Sequence, residues 1–241
     1  MKLLKHILNE SRSPEDGIFF DKIQKILNTK PNHLSTYKQA FTHSSLRLKN
    51  KEGQFINYER LEFLGDSILD AVISTYLYEN APYGDEGYLT KMRSKIVSRK
   101  NLNILGETLN LTELVLAETH PERLGKNING NLFEALIGAI YVDKGFKTCE
   151  DFIYKKVIKK DEDLAKLEKR VMSYKSLMIE WCQKNKFPFE FIIEDDNGRD
   201  QEKHFTVKLV INNEISGKAR ETSKKRAEEK ASQRAYFSFQ N

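Results

Sequence analysis

Cysteine and long apolar runs are both scarce in this chain of 241 residues. Its 2 cysteines, Cys149 and Cys182, lack the spacing of a metal site, and two lone thiols exclude a disulfide framework and favour a reducing cytoplasm. No window approaches the roughly 20 apolar residues of a membrane span, and residues 1–10 lack the apolar core of a signal peptide. We therefore expect a cytoplasmic protein without membrane contact.

Charge, by contrast, is abundant and nearly balanced. Charged residues make up 31% of the chain and the net charge is +5, which is ordinary for a globular protein and compatible with a polyanionic partner. The length allows one sizeable core and a smaller second one. We therefore expect two folded domains.

The apolar pattern divides the chain into four parts. Residues 1–17 read as a leader that ends in turn-forming residues, Ser13 to Gly17. Residues 18–160 repeat apolar positions at spacings of three and four, which predicts a mainly helical domain. Residues 161–171 form a charged stretch that cannot bury a face and is interpreted as a linker. The remaining residues, 172–241, form the second predicted domain.

This second domain changes period along its length. A helical pattern up to residue 185 is followed by alternating apolar positions around Phe191 and Val207, which are typical of half-buried strands. Asn212-Asn213 predicts a tight turn before a third strand, and Ser223 is expected to cap a final helix. The order helix, three strands, helix predicts a small α+β domain.

One predicted helix, residues 57–78, carries the most specific chemical signal. Glu59, Glu62 and Asp66 lie at i, i+3 and i+7 and so share one face, while most other positions are apolar. Three acids on a buried helix are costly unless a partner neutralises them, and Mg²⁺ prefers such oxygen ligands. The spacing alone leaves open a second interpretation, a solvated acidic stripe on a surface helix.

The residues of this helix also resemble a known signature. Asn57 to Asp66, which read NYERLEFLGD, resemble the signature of the ribonuclease III family, endonucleases that cut double-stranded RNA. Residues 41–45 and 134–141 resemble two further family segments, and the C-terminal stretch resembles a double-stranded RNA-binding domain. The resemblance extends over about residues 20–240. It implies an all-helical endonuclease domain followed by a small α-β-β-β-α double-stranded RNA-binding domain.

The resemblance implies a metal-dependent hydrolase with four catalytic acids: Glu59, Glu62, Asp66 and Glu134. Glu62, Asp66 and Glu134 would bind Mg²⁺, for which Mn²⁺ would substitute, and Glu59 would assist through water or by holding the geometry. The family usually has an acid three residues before the last Glu, but this chain has Asn131. Its carbonyl is expected to join the metal ligands with weaker binding, and a helix N-cap is the alternative. His43 is expected to be structural, and Asp70 a helix-end or surface acid.

The resemblance also implies a surface that reads the shape, phosphates and 2′-hydroxyls of an RNA duplex. Lys224 and Lys225 at a helix N-terminus would bind phosphate. Further RNA contacts are predicted at Lys218, Arg220, Ser176, Glu180, Gln183, Gln201, Arg93 and Lys95. Gln201 stands in a loop where the family commonly has His, and the acidic residues around it would weaken binding. For the basic helical run at Arg93 and Lys95, solubility is the alternative.

Family members pair as two-fold dimers, so that two sites face one duplex. Phe63 and Leu64 match the residues that pack across that interface, and a core role is the alternative for each. The implied function is a homodimeric endoribonuclease that leaves 5′-phosphate and 3′-hydroxyl ends, with roles in rRNA processing and transcript turnover. Two alternatives remain: a non-catalytic protein that binds double-stranded RNA, and an RNA-binding component of a larger ribonucleoprotein.

Overall fold

The computed structural model describes residues 13–118, 124–158, 173–196 and 203–239. It divides into two compact units, Met1–Leu167 and Glu168–Asn241. The predicted linker over residues 161–171, most of the predicted leader, and Gln201 lie outside the described residues. The boundary between the units falls inside the predicted linker.

The first unit is helical, as predicted. Its α-helices are α1 (Pro14–Leu27), α2 (Leu34–Ala40), α3 (Glu59–Asn80), α4 (Glu86–Ile96), α5 (Arg99–Thr108) and α6 (Ile128–Lys156). Gly145, at φ 78° and ψ 176°, interrupts the helical geometry of α6. The predicted turn from Ser13 to Gly17 is wrong, because α1 begins there: the Ser13 side chain accepts a hydrogen bond from the Asp16 amide, and Pro14 occupies the first helical position.

Helices α3 and α6 form the centre of this unit and meet at two glycines. A Cβ on Gly65 would lie 1.8 Å from the carbonyl oxygen of Glu134, and a Cβ on Gly138 would lie 2.2 Å from that of Leu61. Only glycine permits the two backbones to approach so closely. This contact brings the acidic face of α3 beside the first turns of α6.

A buried carboxylate joins α6 to the beginning of α2. Asp143 accepts hydrogen bonds from the backbone amides of Asn32 (2.9 Å) and His33 (2.8 Å) and from the Tyr37 hydroxyl (2.9 Å). Burial alone would raise the pKa of Asp143, but the hydrogen bonds from Asn32, Tyr37 and His33 outweigh it and lower that pKa. The ionised Asp143 therefore links α6 to the start of α2 through these hydrogen bonds.

The second unit has the predicted α-β-β-β-α order. Its elements are α7 (Tyr174–Lys184), β1 (Phe189–Asp196), β2 (His204–Ile211), β3 (Glu214–Glu221) and α8 (Lys224–Ser238). The strands are antiparallel in the order β1-β2-β3, and Val207 pairs with both Ile193 and Ala219. Asn212 and Asn213 have φ of 52° and 66°, which confirms the predicted tight turn between β2 and β3.

Helix α8 packs closely on this sheet. The predicted inward-facing residues Ala227, Ala231 and Ala235 are buried, and Ser223 caps the helix by accepting a hydrogen bond from the Arg226 amide. A Cβ on Gly217 of β3 would lie 2.2 Å from the Ala231 carbonyl oxygen. Small residues on both sides therefore set the distance between α8 and the sheet.

Glu229 connects α8 to α7. Its carboxylate accepts hydrogen bonds from the Tyr174 amide at 2.6 Å and from the Ser173 hydroxyl at 2.7 Å. A carboxylate at this position stabilises the N-terminus of α7.

The cysteines and the apolarity of the helices complete the description of the fold. Cys149 and Cys182 are both buried free thiols. No helix in the described ranges is long and apolar enough to cross a membrane.

Candidate active site

The close approach of α3 and α6 brings the predicted acids together. Glu59, Glu62 and Asp66 lie along the first turns of α3, and Glu134 lies on α6. Glu59 and Asp66 are exposed and Glu62 is half-buried, whereas Glu134 is only 3% exposed. Because Gly65 touches the backbone of Glu134, residues far apart in sequence share one acidic site.

The electrostatics of Glu134 show how crowded this site is. Burial raises the pKa of Glu134 to about 7; Arg99 opposes this shift, and the negative charges of Asp66 and Glu62 add to it. The pKa of Glu62 is also raised, first by burial and then, against Arg99, by Glu59 and Asp66. Burial and the neighbouring negative charges therefore both disfavour the ionised forms of Glu62 and Glu134, and a bound cation would oppose this effect.

Asn131 lies at the same site and is held from two sides. The Arg99 guanidinium donates hydrogen bonds through one nitrogen to Asn131 Oδ1 (2.8 Å) and to Glu134 Oε2 (3.2 Å). The pKa of Tyr58 is raised by burial, and a hydrogen bond with the Asn131 side chain opposes that shift. The N-cap alternative for Asn131 is wrong, because Asn127 occupies the N-cap of α6 and Asn131 lies inside the helix.

The donor set suits a hard divalent cation. In the described part of the chain no three His, Cys, Asp or Glu side chains converge closely enough to hold a metal in their present positions. The oxygens of Glu62, Asp66, Glu134 and Asn131 are nevertheless the ligand type that Mg²⁺ prefers. Burial and neighbouring acids raise the pKa values of Glu62 and Glu134, and a cation between these carboxylates would favour their ionised forms.

Two residues near the signature were predicted at the surface. Asp70 lies in the middle of α3, so the helix-end prediction is wrong, but its side chain is partly exposed. Burial raises its pKa while Arg93 lowers it. Lys95 is 4% exposed, so its predicted contact with RNA at the surface is wrong: its side chain packs into the unit instead. Arg93 donates a hydrogen bond to Ser74 Oγ at 2.9 Å and remains partly exposed.

The segment before the signature supports α3 without joining the acids. His43 Nδ1 lies 2.9 Å from Ser45 Oγ and accepts a hydrogen bond from the Ser45 amide at 3.2 Å. Its ring lies against Tyr58, with 5.9 Å between the ring centroids. These local contacts agree with the structural role predicted for His43.

The two residues predicted at a dimer interface differ in exposure. Phe63 is 77% exposed, an unusual position for an aromatic side chain on the helix that carries the acids. Leu64 is partly buried and packs against the hydrophobic core. Leu64 therefore has, at least in part, the alternative role of packing in the core, whereas the exposed Phe63 does not.

Those predicted RNA-binding residues of the second unit that the structure describes lie on exposed positions. Lys224 and Lys225 occupy the first turn of α8, and Lys224 Nζ lies 5.5 Å from the centre of the Phe205 ring. Lys218 and Arg220 are exposed on β3. Ser176, Glu180 and Gln183 are exposed on α7, at the spacing that places them on one face.

Two family models match the chain, one for each unit. A "Ribonuclease-III-like" model matches residues 34–161, and a "Double-stranded RNA binding motif" model matches residues 174–236. The proteins named Ribonuclease 3 from Zunongwangia profunda and Flavobacterium psychrophilum are 56% and 54% identical to it over 241 residues, which is 100% of this chain and 99% and 98% of theirs. The chain belongs to the ribonuclease III family. Membership and the domain pair make it an endoribonuclease of double-stranded RNA.

A solved structure agrees with the ribonuclease III fold of the first unit. The nuclease domain of ribonuclease III from Campylobacter jejuni matches with a TM-score of 0.51 and 30% identity, covering 59% of this chain and 96% of that one. A second structure of that nuclease domain, which also scores 0.51, is described as showing flexibility in a region involved in dimer formation.

Sequence reasoning missed one member of this ribonuclease III site. Arg99 follows the basic residues Arg93 and Lys95 in sequence, where a cation is expected to face RNA or solvent. Its partners Asn131 and Glu134 follow it by 32 and 35 residues, and no local pattern connects them. Only the packing of α5 beside α6 shows the contact.

Proposed function

We propose that this ribonuclease III hydrolyses phosphodiester bonds of double-stranded RNA at the acidic site between α3 and α6, using Mg²⁺ or Mn²⁺. The observation that carries the proposal is the burial of Glu134 beside Glu62 and Asp66, which raises its pKa to about 7. A buried carboxylate with two further acids close enough to add to its pKa shift suits a site that holds a cation.

In this proposal the acids share the work of binding and orientation. Glu62, Asp66 and Glu134 hold the metal, with the Asn131 carbonyl available as a neutral ligand. Glu59, exposed one turn before Glu62, orients water at the open side of the site. The bound metal supplies activation of water and stabilisation of charge on the phosphate.

The second unit is proposed to hold the duplex. Lys224 and Lys225 combine side-chain charge with the N-terminus of α8, a favourable place for phosphate. Lys218 and Arg220 extend the positive surface, and Ser176, Glu180 and Gln183 are placed to contact sugar hydroxyls. Arg93 remains a candidate contact in the nuclease unit, and Lys95 is removed from this set because it is buried.

We also propose a homodimer with Phe63 in its interface. A single site cuts one strand, so cutting both strands of a duplex calls for two sites related by symmetry. Phe63 is 77% exposed on the helix that carries the acids, and burying an aromatic ring of this kind favours association. Leu64 would support Phe63 from the core side.

The products proposed are 5′-phosphate and 3′-hydroxyl ends, and the proposed roles are rRNA processing and turnover of structured transcripts in the cytoplasm. The relatives offer no support for a non-catalytic RNA-binding protein. Intact acids at Glu59, Glu62, Asp66 and Glu134 also favour an active enzyme.

The decisive test is cleavage of a long, end-labelled RNA duplex. The wild-type protein is expected to cut it to short duplexes with Mg²⁺ and to stop when a chelator is added. Glu134→Ala should bind the duplex without cutting it. Duplex binding without cleavage by the wild-type protein, at any Mg²⁺ or Mn²⁺ concentration, would contradict the proposal.

A further inference from the structure

Arg99 is the cation nearest to the proposed metal ligands in the described contacts of this site. One of its guanidinium nitrogens donates to Asn131 Oδ1 at 2.8 Å and to Glu134 Oε2 at 3.2 Å. Arginine stays protonated at all physiological pH values, so this positive charge is always present. The guanidinium therefore already contacts two oxygens that a divalent cation would require.

The backbone under Arg99 is held firmly against α6. Asn103, one turn further along α5, accepts a hydrogen bond from the Gly130 amide at 2.8 Å. A Cβ on Gly106 would lie 2.3 Å from the Asn129 carbonyl oxygen, so α5 and the first turn of α6 touch through their backbones. These contacts hold the backbone of α5 beside the first turns of α6, where Asn131 lies.

The side chain of Arg99, in contrast, has room to move away from Asn131 and Glu134. It is 48% exposed, whereas the Glu134 side chain with which it pairs is 5% exposed. A half-exposed guanidinium regains water when it swings outward, while the buried carboxylate depends on another cation to replace it. The pairing therefore favours exchange of Arg99 for a metal.

Asn131 makes this exchange easier. An acid at position 131 would form a second ion pair with Arg99, whereas the amide offers only a hydrogen bond to its carbonyl oxygen. The neutral side chain thus weakens the hold on Arg99 at the same time as it weakens the attraction for a metal. Asn131 and Arg99 act on metal binding as a pair.

We infer that Arg99 is a positioning residue that acts as a built-in counter-ion: in the metal-free protein it holds Glu134 and Asn131, and it competes with the divalent cation for them. This inference rests on the proposed function, because it takes Glu134 and Asn131 as metal ligands. It adds a residue that sets metal affinity and links that affinity to the amide at position 131.

The test is Mn²⁺ binding to the full chain without RNA, measured by calorimetry and by the electron paramagnetic resonance signal of free Mn²⁺. Arg99→Gln is expected to bind Mn²⁺ about tenfold more tightly than wild type, because a competing charge within ion-pair distance is gone. Arg99→Lys should fall between the two. Lys100→Gln, the same charge change on the next exposed residue of α5, should leave the affinity unchanged.

Thermal unfolding separates competition from a merely structural role. In chelator, Arg99→Gln should melt below wild type because Glu134 has lost its partner, and saturating Mn²⁺ should close that gap. If the gap persists in Mn²⁺, or if Arg99→Gln binds Mn²⁺ no more tightly than wild type, the inference is overturned. Should Arg99→Gln fail to fold, Arg99→Lys decides by the same two measurements.

Asn131→Asp tests the coupling of the pair. Its gain in Mn²⁺ affinity should be larger in the Arg99→Gln background than in wild type, because Arg99 no longer occupies the new carboxylate. Equal gains would overturn the coupling. A wild-type protein that binds Mn²⁺ but does not cut duplex RNA would contradict the proposed function and leave the inference about Arg99 intact.

Discussion

In the nuclease unit the predicted catalytic acids lie where two helices cross, and Glu134 is 3% exposed. In the RNA-binding unit, by contrast, Lys224 and Lys225 lie exposed on the first turn of one helix. Burial raises the pKa values of Glu62 and Glu134, and the charges of neighbouring acids add to both shifts. To bind phosphate, the two lysines require only a position at a helix N-terminus, because the helix dipole and the side-chain charge act together there. The predicted metal ligands therefore include one buried carboxylate, whereas the predicted phosphate contacts Lys224 and Lys225 are both exposed.

The same comparison extends to packing. Both units bring backbones together through a glycine, Gly65 against Glu134 in one and Gly217 against Ala231 in the other. In the nuclease unit this contact assembles the site itself. In the RNA-binding unit it only supports α8, whose charged first turn lies elsewhere. A substitution that disrupts these glycine contacts should therefore reduce cleavage more than it reduces RNA binding.

The largest expected effect is on cleavage. Glu62→Gln removes a negative charge from the proposed metal site, and its cleavage rate should fall by on the order of 10²–10³-fold. Glu79→Gln, on an exposed turn of the same helix, is the matched control and should cut normally. Initial rates on an end-labelled duplex measure both, and equal activity of the two variants would remove Glu62 from the site.

The next effect is on the stability of the nuclease unit. Asp143→Asn removes the charge that accepts hydrogen bonds from Asn32, His33 and Tyr37, and should lower the free energy of unfolding by about 2–3 kcal/mol at pH 7. Urea unfolding measures the loss. Asp151→Asn, an exposed acid of the same helix, should change it little.

The pH dependence of this loss follows from the sign of the shift. The folded protein lowers the pKa of Asp143, so its stabilisation is complete above the unfolded pKa of about 3.9 and is lost as the pH falls through the lower folded value. The difference between wild type and Asp143→Asn should therefore shrink only below about pH 4. A difference that shrinks between pH 5 and 7 would contradict this assignment.

A third prediction concerns the helix crossing. Gly65→Ala places a Cβ 1.8 Å from the Glu134 carbonyl oxygen, and the helices must separate. The free energy of unfolding should fall by about 1–3 kcal/mol, with a loss of cleavage as the acids move apart. Gly17→Ala is the control, because its Cβ meets nothing within 4 Å and alanine favours the helix. If Gly65→Ala is as stable and active as Gly17→Ala, the close crossing is wrong.

The smallest expected effect is on RNA affinity. Lys224→Ala should weaken duplex binding by about 1 kcal/mol and lower the salt dependence of binding by about one phosphate contact. Lys184→Ala, an exposed lysine at the far end of α7, should leave both unchanged. Filter binding at several salt concentrations measures them. A change in the cleavage rate of Lys224→Ala at saturating RNA would show that the RNA-binding unit also affects catalysis.

Local patterns predicted much of this molecule correctly. The period of apolar residues predicted the helical unit, the α-β-β-β-α order, the Asn212-Asn213 turn and the inward alanines of α8, because each depends on neighbours in sequence. The wrong predictions concern residues whose local sequence is compatible with more than one structure. Ser13 and Pro14 suit a turn and a helix start equally well, and Lys95 looked exposed because lysines usually are.

The sequence by itself determined the family and the order of a helical unit followed by an α-β-β-β-α unit, since both follow from residue types at fixed spacings. The catalytic role of the acids stays a prediction. Only the tertiary structure decided that Glu134 is the buried acid, that Lys95 lies in the interior, and that Arg99 contacts Asn131 and Glu134. The physical reason is that burial and charge interaction depend on distance in space. That distance is set here by glycine contacts between helices remote in sequence.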